Sequence, residues 1–168
     1  MKRTQQINCL LIDRFSLKER VLMRIGWLGF MAVGAFGIYK QDPLWAWLYV
    51  AYGFLGFALV VLPSMCAHCP YPSKFSTCLF LPPGLVTKFY PYRGPEMTLT
   101  GKLAAFSAMA GMVIIPHFWL VKDGPLLSLF WLIGLPTVAA FPVHYCKKCR
   151  HFGCPMNKAN PSISVPGR

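Results

Sequence analysis

The sequence predicts an all-α membrane protein: four transmembrane helices in two hairpins, the pattern of a parallel internal repeat, and a Cys-rich cytoplasmic face. Three observations carry this expectation. The chain of 168 residues is 55% hydrophobic and only 13% charged, with a mean hydropathy of +0.47, whereas a soluble domain carries about 25% charged residues. Its apolar residues fall in four runs, 21–39, 44–62, 103–121 and 126–143. At about 1.5 Å per helical residue, each can cross a hydrocarbon core of ~30 Å. Six of the seven cysteines lie in two short stretches that follow the second and fourth runs. A single four-span domain, 1–168, then comprises an N-terminal segment 1–20, a Cys/Pro-rich loop 63–101 and a Cys-rich tail 144–168, all three cytoplasmic.

Residues 1–20 are polar and basic. The apolar patch 7–12 around Cys9 is too short for a signal-peptide core, and its context is not that of a lipidated cysteine. Ser16-Leu17-Lys18-Glu19 has the S-x-x-E form of a capping box and predicts a short interfacial helix ahead of the first span. In that span Gly26, Gly29 and Gly37 share a face, which suits close approach of a second helix. Lys40-Gln41-Asp42-Pro43 is a tight turn with proline at the first helical position. Trp45, Trp47 and Tyr49 crowd the start of the second span as an aromatic belt does, and Pro63 is expected to end it. The loop 63–101 carries seven prolines, too many for a regular helix, but its apolar residues suit packing on the site or along the interface. Thr98 or Thr100 caps the third span, with Ala104, Ala108 and Gly111 on its small-residue side and Pro116 kinking it. Lys122-Asp123-Gly124-Pro125 turns the chain again. The fourth span is interrupted by Pro136, and the polar stretch 157–168 is expected to be mobile.

Charge sets the expected orientation. The N-terminal segment through Arg24, the loop and the tail hold fifteen Lys and Arg; the two short turns hold Lys40 and Lys122. The positive-inside rule then places both termini and every cysteine in the cytoplasm, in a bacterial or archaeal cytoplasmic membrane. The net charge of +12 is accounted for by a basic face beside anionic lipid, with no nucleic acid as partner. The halves share an order: span, Lys-x-x-Pro turn, span, proline, Cys-x-x-Cys. The cysteine pairs are offset by 80 residues and the turn prolines by 82, as a duplication with small insertions gives, although two hairpins also look alike by chance.

The cysteines carry the chemistry. Cys66-x-x-Cys69 and Cys146-x-x-Cys149 together supply four thiolates, the tetrahedral set of a structural zinc ion. One ion bound by all four ties the end of the second span to the end of the fourth. Iron–sulfur is the rival: Cys146-x2-Cys149-x4-Cys154-Pro155 ends in Cys-Pro as a 4Fe-4S ferredoxin run does, but the ferredoxin spacing is absent. Dithiol redox chemistry is disfavoured in a reducing cytosol. Cys78, Cys154, His68, His144 and His151 are further candidate ligands, and two separate sites are the fallback: Cys66, Cys69 and Cys78 with His68, and Cys146, Cys149 and Cys154 with His144 or His151. His117 lies far from the other histidines and near a span end, which argues against a haem.

No span holds a carboxylate, as a proton-coupled transporter normally requires. There is no Gly-x-Ser-x-Gly and no Gly-rich phosphate loop, so no enzyme activity is assigned. The expected role is an accessory or anchor subunit with a cytoplasmic zinc site, serving a soluble protein partner; the alternative is an iron–sulfur electron-transfer subunit of a quinone-linked membrane oxidoreductase.

Overall fold

The computed structural model describes residues 11–159; the expectations for Cys9, for positions 7–10 of the apolar patch and for the tail beyond residue 159 lie outside it. The described chain is all-helical and contains no strand. Its helices are α1 (Leu17–Tyr39), α2 (Pro43–Gly56), α3 (Leu62–Ser64), α4 (Pro70–Lys74), α5 (Pro83–Phe89), α6 (Leu99–Leu120) and α7 (Gly124–Ala140). Four helical stretches are long and apolar enough to cross a membrane: Leu17–Tyr39, Pro43–His68, Leu99–Leu120 and Gly124–Lys148.

Each long helix begins at a side-chain cap. Ser16 and Glu19 form the capping box, with Glu19 N–H donating to Ser16 Oγ at 3.2 Å and Ser16 N–H to Glu19 Oε2 at 2.7 Å. Among the described residues no separate interfacial helix precedes the span: the box opens α1 itself, because nothing between Leu17 and Tyr39 breaks the helix. Asp42 caps α2, Thr98 caps α6 and Asp123 caps α7, each satisfying backbone N–H groups that have no intrahelical acceptor.

The prolines behave differently from the sequence expectation. Pro63 does not end the second helix, which widens into a π-turn at Phe57–Val61 and continues through α3. Pro136 does not interrupt α7; the change comes later, in a second π-turn at Phe141–Tyr145 that contains Pro142. A proline ring crowds the carbonyl four residues back and offers no N–H, and a π-turn relieves that locally. In the loop, Pro70 and Pro83 stand at the first helical positions of α4 and α5, where the missing N–H costs nothing.

Two carbonyls left without helical donors find hydroxyls. Pro116 gives no N–H to Met112 O, and Tyr49 Oη donates there at 2.9 Å. In the first π-turn Leu62 N–H bonds Phe57 O, so Ala58 O receives Tyr90 Oη at 2.7 Å instead. In a bilayer core such partners must come from the protein.

Helix α1 packs against α7, α2 and α6. Its glycine face is a contact face: a Cβ at Gly26 would strike Thr137, one at Gly29 would touch Ile133 and one at Gly37 would strike Leu120. One core gathers Phe30, Met31, Ile38, Tyr49, Met112, Leu120 and Phe130 between the long helices. The outward surface is strongly apolar, with Leu22, Trp47, Phe118 and Leu132 among the most exposed residues, as lipid-facing residues are. At one end Lys40 Nζ meets Asp123 Oδ2 at 2.6 Å and Gln41 Nε2 donates to Trp119 O at 2.9 Å. At the other, a second core of Phe15, Met23, Tyr71, Leu79 and Tyr145 joins the chain's beginning, the long loop and the tail.

Candidate functional site

The two Cys-x-x-Cys segments fold alike. Each opens a 3₁₀ turn, Cys66–His68 and Cys146–Lys148, and its second cysteine follows in extended backbone: φ −80°, ψ 126° at Cys69 and φ −84°, ψ 135° at Cys149. Both turns are held from outside. Arg93 N–H donates to Ala67 O at 2.8 Å, Ile12 N–H to Lys148 O at 2.9 Å, and Lys158 N–H to Cys146 O at 3.0 Å.

The loop and tail close over these turns. Tyr71, only 2% exposed, donates its hydroxyl to Ile12 O at 2.8 Å and accepts Arg150 N–H at 3.1 Å. Its oxygen also lies beside the Cys149 thiol. Arg150 pairs with Asp13 at 2.5 Å. The tail lies against the loop so closely that a Cβ at Gly153 would strike the Pro95 carbonyl. Sequence reasoning passed over Tyr71; its signal was an aromatic residue between two prolines, Pro70 and Pro72, where a fixed backbone can present a side chain inward.

Six cysteines occupy this end. All six, Cys66, Cys69, Cys78, Cys146, Cys149 and Cys154, are free thiols, and none is exposed. Cys66 lies beside Cys78 and Cys69, and Cys146 beside Cys154 and Cys149. Across the two halves, Cys69 lies beside Cys149 and Cys154. Backbone N–H groups point at three of the sulfurs. The N–H of Tyr71 turns to Cys69, that of His151 reaches Cys149 Sγ at 3.4 Å, and those of Met156 and Asn157 turn to Cys154. Burial pushes the Cys69 thiol up to about 12 and raises Cys149 and Cys154 as well, against the pull of those N–H groups. Buried thiols without a compensating cation are held neutral.

The histidines divide. His151 is 5% exposed, and neither ring nitrogen has a hydrogen-bond partner among the described residues. Burial, with His68 nearby, depresses its pKa to about 4, so the ring is a neutral imidazole. His68 Nδ1 lies 2.9 Å from Gly94 O. A carbonyl only accepts, so Nδ1 carries the proton and Nε2 is left with its lone pair. Gly94 has φ +102°, a conformation that favours glycine and that aims this carbonyl. His144 is engaged elsewhere: its half-exposed ring places Nε2 3.6 Å from Glu19 Oε1. His117 is satisfied on both sides, Nδ1 by Val113 O at 2.7 Å and Nε2 by Trp131 Nε1–H at 3.1 Å.

As the side chains stand, no three His, Cys, Asp or Glu groups among the described residues converge closely enough to hold one ion. The chain matches no protein-family model, no curated protein and no solved structure. What this end offers is a set of donors: six thiols, none of them exposed, two imidazoles with free lone pairs and directed backbone N–H groups.

Proposed function

We propose that this is a small polytopic membrane protein whose Cys-rich end holds zinc and serves as the docking face of an accessory or anchor subunit for a soluble partner. The observation that carries the reading is His151. A buried imidazole with both nitrogens unpaired is costly, and ligation by one nitrogen removes much of that cost. The donor set fits the ion: thiolates and neutral imidazoles are zinc's usual ligands, and N–H groups aimed at sulfur stabilise the thiolate form. A cation also removes the reason for the raised thiol pKa values, since metal and thiolate neutralise each other. Zinc–sulfur bonds of about 2.3 Å require the thiols to rotate inward from their present positions.

The four-span domain is read as two hairpins related by a parallel repeat. Support comes from matched details: the Lys40–Pro43 and Lys122–Pro125 turns, the Asp42 and Asp123 caps, the two π-turns and the two like-folded 3₁₀ turns. The Lys and Arg distribution orients the Cys-rich end and both termini to the cytoplasm. Reporter fusions at residues 41 and 123 should therefore read as external; a cytoplasmic signal at either refutes the orientation.

A second reading keeps the same end but fills it with an iron–sulfur cluster passing electrons to or from quinone. The N–H groups turned to Cys69, Cys149 and Cys154 favour it to the same degree, because such bonds also tune clusters. Anaerobic purification decides between the two. A colourless protein containing zinc supports the first reading, and a brown protein with iron, acid-labile sulfide and a broad band near about 400 nm supports the second. The anchor role is checked by native purification from membranes, where a stoichiometric soluble subunit should accompany the wild type and be lost with Cys149→Ser.

A further inference from the structure

Resting on the metal reading above, we infer that each half of the chain completes its own four-ligand zinc site: Cys66, Cys69, Cys78 and His68 in one, Cys146, Cys149, Cys154 and His151 in the other. This replaces a single ion held by the two Cys-x-x-Cys pairs.

The grouping follows from which donors are neighbours. Cys66, Cys69 and Cys78 lie beside one another, and so do Cys146, Cys149 and Cys154. No three of these donors converge as they stand, but Cys66 and Cys146 have thiol neighbours only in their own halves, and of the first trio Cys69 alone also lies beside thiols of the second. Each trio lacks one ligand of a tetrahedral site, and Cys₃His is an established structural set for zinc.

The structure offers one suitable imidazole to each. His151 follows Cys149 by two residues, and Cys154 N–H bonds its carbonyl at 3.1 Å, so the three belong to one turn. Both its nitrogens are buried and free of partners. His68 lies between Cys66 and Cys69, with Nδ1–H fixed on Gly94 O. That is the arrangement by which a backbone carbonyl orients a metal-ligating imidazole, leaving Nε2 for the ion. His144, the other candidate for the second site, is paired with Glu19. Three thiolates on a dication leave one negative charge per site. Lys102 beside Cys154 and Lys158 beside Cys146 are placed to offset it in the second half. His68 lies beside His151, and Cys69 beside Cys149, so the two ions would be neighbours and would lock the loop to the tail.

The test is zinc stoichiometry of the full chain, purified in detergent from zinc-replete cells. Wild type should carry two zinc ions per chain. Cys78→Ser and His68→Ala should each carry one, as should Cys154→Ser and His151→Ala. The pair Cys78→Ser with Cys154→Ser should carry none. Cys9→Ser and His144→Ala should keep both. His151→Cys guards against simple misfolding, since a fourth thiolate should restore the second ion that His151→Ala loses. Cobalt loaded in place of zinc should then shift its d–d bands to lower energy, because thiolate is a weaker-field donor than imidazole. One zinc per chain in wild type, lost equally in Cys66→Ser and Cys146→Ser but kept in Cys78→Ser and His151→Ala, overturns the two-site assignment and leaves the metal reading intact. No metal in wild type, even after titration with zinc, overturns both. Iron with acid-labile sulfide overturns the zinc assignment.

Discussion

Removing the Tyr49 hydroxyl tests how this bundle tolerates prolines within its helices. Pro116 lies inside α6 and gives no N–H to Met112 O, four residues back. Tyr49, 1% exposed on α2, donates to that oxygen at 2.9 Å. In Tyr49→Phe the ring still fills its site, but a buried carbonyl loses its donor. A made hydrogen bond contributes about 1 kcal/mol net, and an orphaned buried acceptor costs about 1–3 kcal/mol. The expected destabilisation is therefore about 1–3 kcal/mol. The decisive comparison is with Pro116→Ala, which returns a backbone N–H able to reach Met112 O. Lost ring packing and regained helix propensity oppose each other in that variant, and a double-mutant cycle cancels both. Tyr49→Phe should cost roughly 1 kcal/mol less in the Pro116→Ala background than in wild type. Reversible unfolding in mixed micelles, followed by tryptophan fluorescence, measures each corner. A neutral Tyr49→Phe, or an equal cost in both backgrounds, refutes the argument that the hydroxyl replaces the missing amide.

Tyr71→Phe should destabilise the protein by about 2 kcal/mol, from two hydrogen bonds at roughly 1 kcal/mol each, and speed proteolysis in 63–101; unchanged cleavage would show that Tyr71 does not hold the loop. Gly134→Ala should cost about 1–3 kcal/mol, because its Cβ would fall 2.6 Å from the Phe30 ring packed on Phe130. Gly56→Ala, with nothing within 4 Å, should be neutral or stabilise by about 0.5–1 kcal/mol; the same unfolding assay reads both. At the far end, the hydrogen bond from Lys40 holds the Asp123 carboxyl below the usual carboxylate range, helped by the Leu126 N–H. A depressed folded pKa contributes stability that is present above the unfolded pKa and lost as pH falls through the folded value. The gap in Tm between wild type and Asp123→Asn should thus be constant near about pH 6 and shrink below about pH 4.

Much of this protein was legible in its residues. Four apolar runs without carboxylates can satisfy their backbone as helices in lipid, and Thr98 was readable as a cap; the Ser16 box was read as opening a separate helix, and Asp42 and Asp123 as turn residues, where they cap α2 and α7. Cysteine spacing named candidate donors, because two intervening residues are a local constraint. What the prolines do was not legible. Whether Pro63 and Pro116 are accommodated within a helix depends on whether a π-turn or a distant hydroxyl can absorb the missing donor, and Tyr90 and Tyr49 lie 27 and 67 residues from them. The partition of the histidines was likewise tertiary. His144 and His151 look alike in sequence, but Glu19 on α1 claims the first, while the packing of tail on loop buries the second without a partner. Spacing along the chain names candidate ligands; which of them are left with a free lone pair is decided by whatever else the fold brings against them.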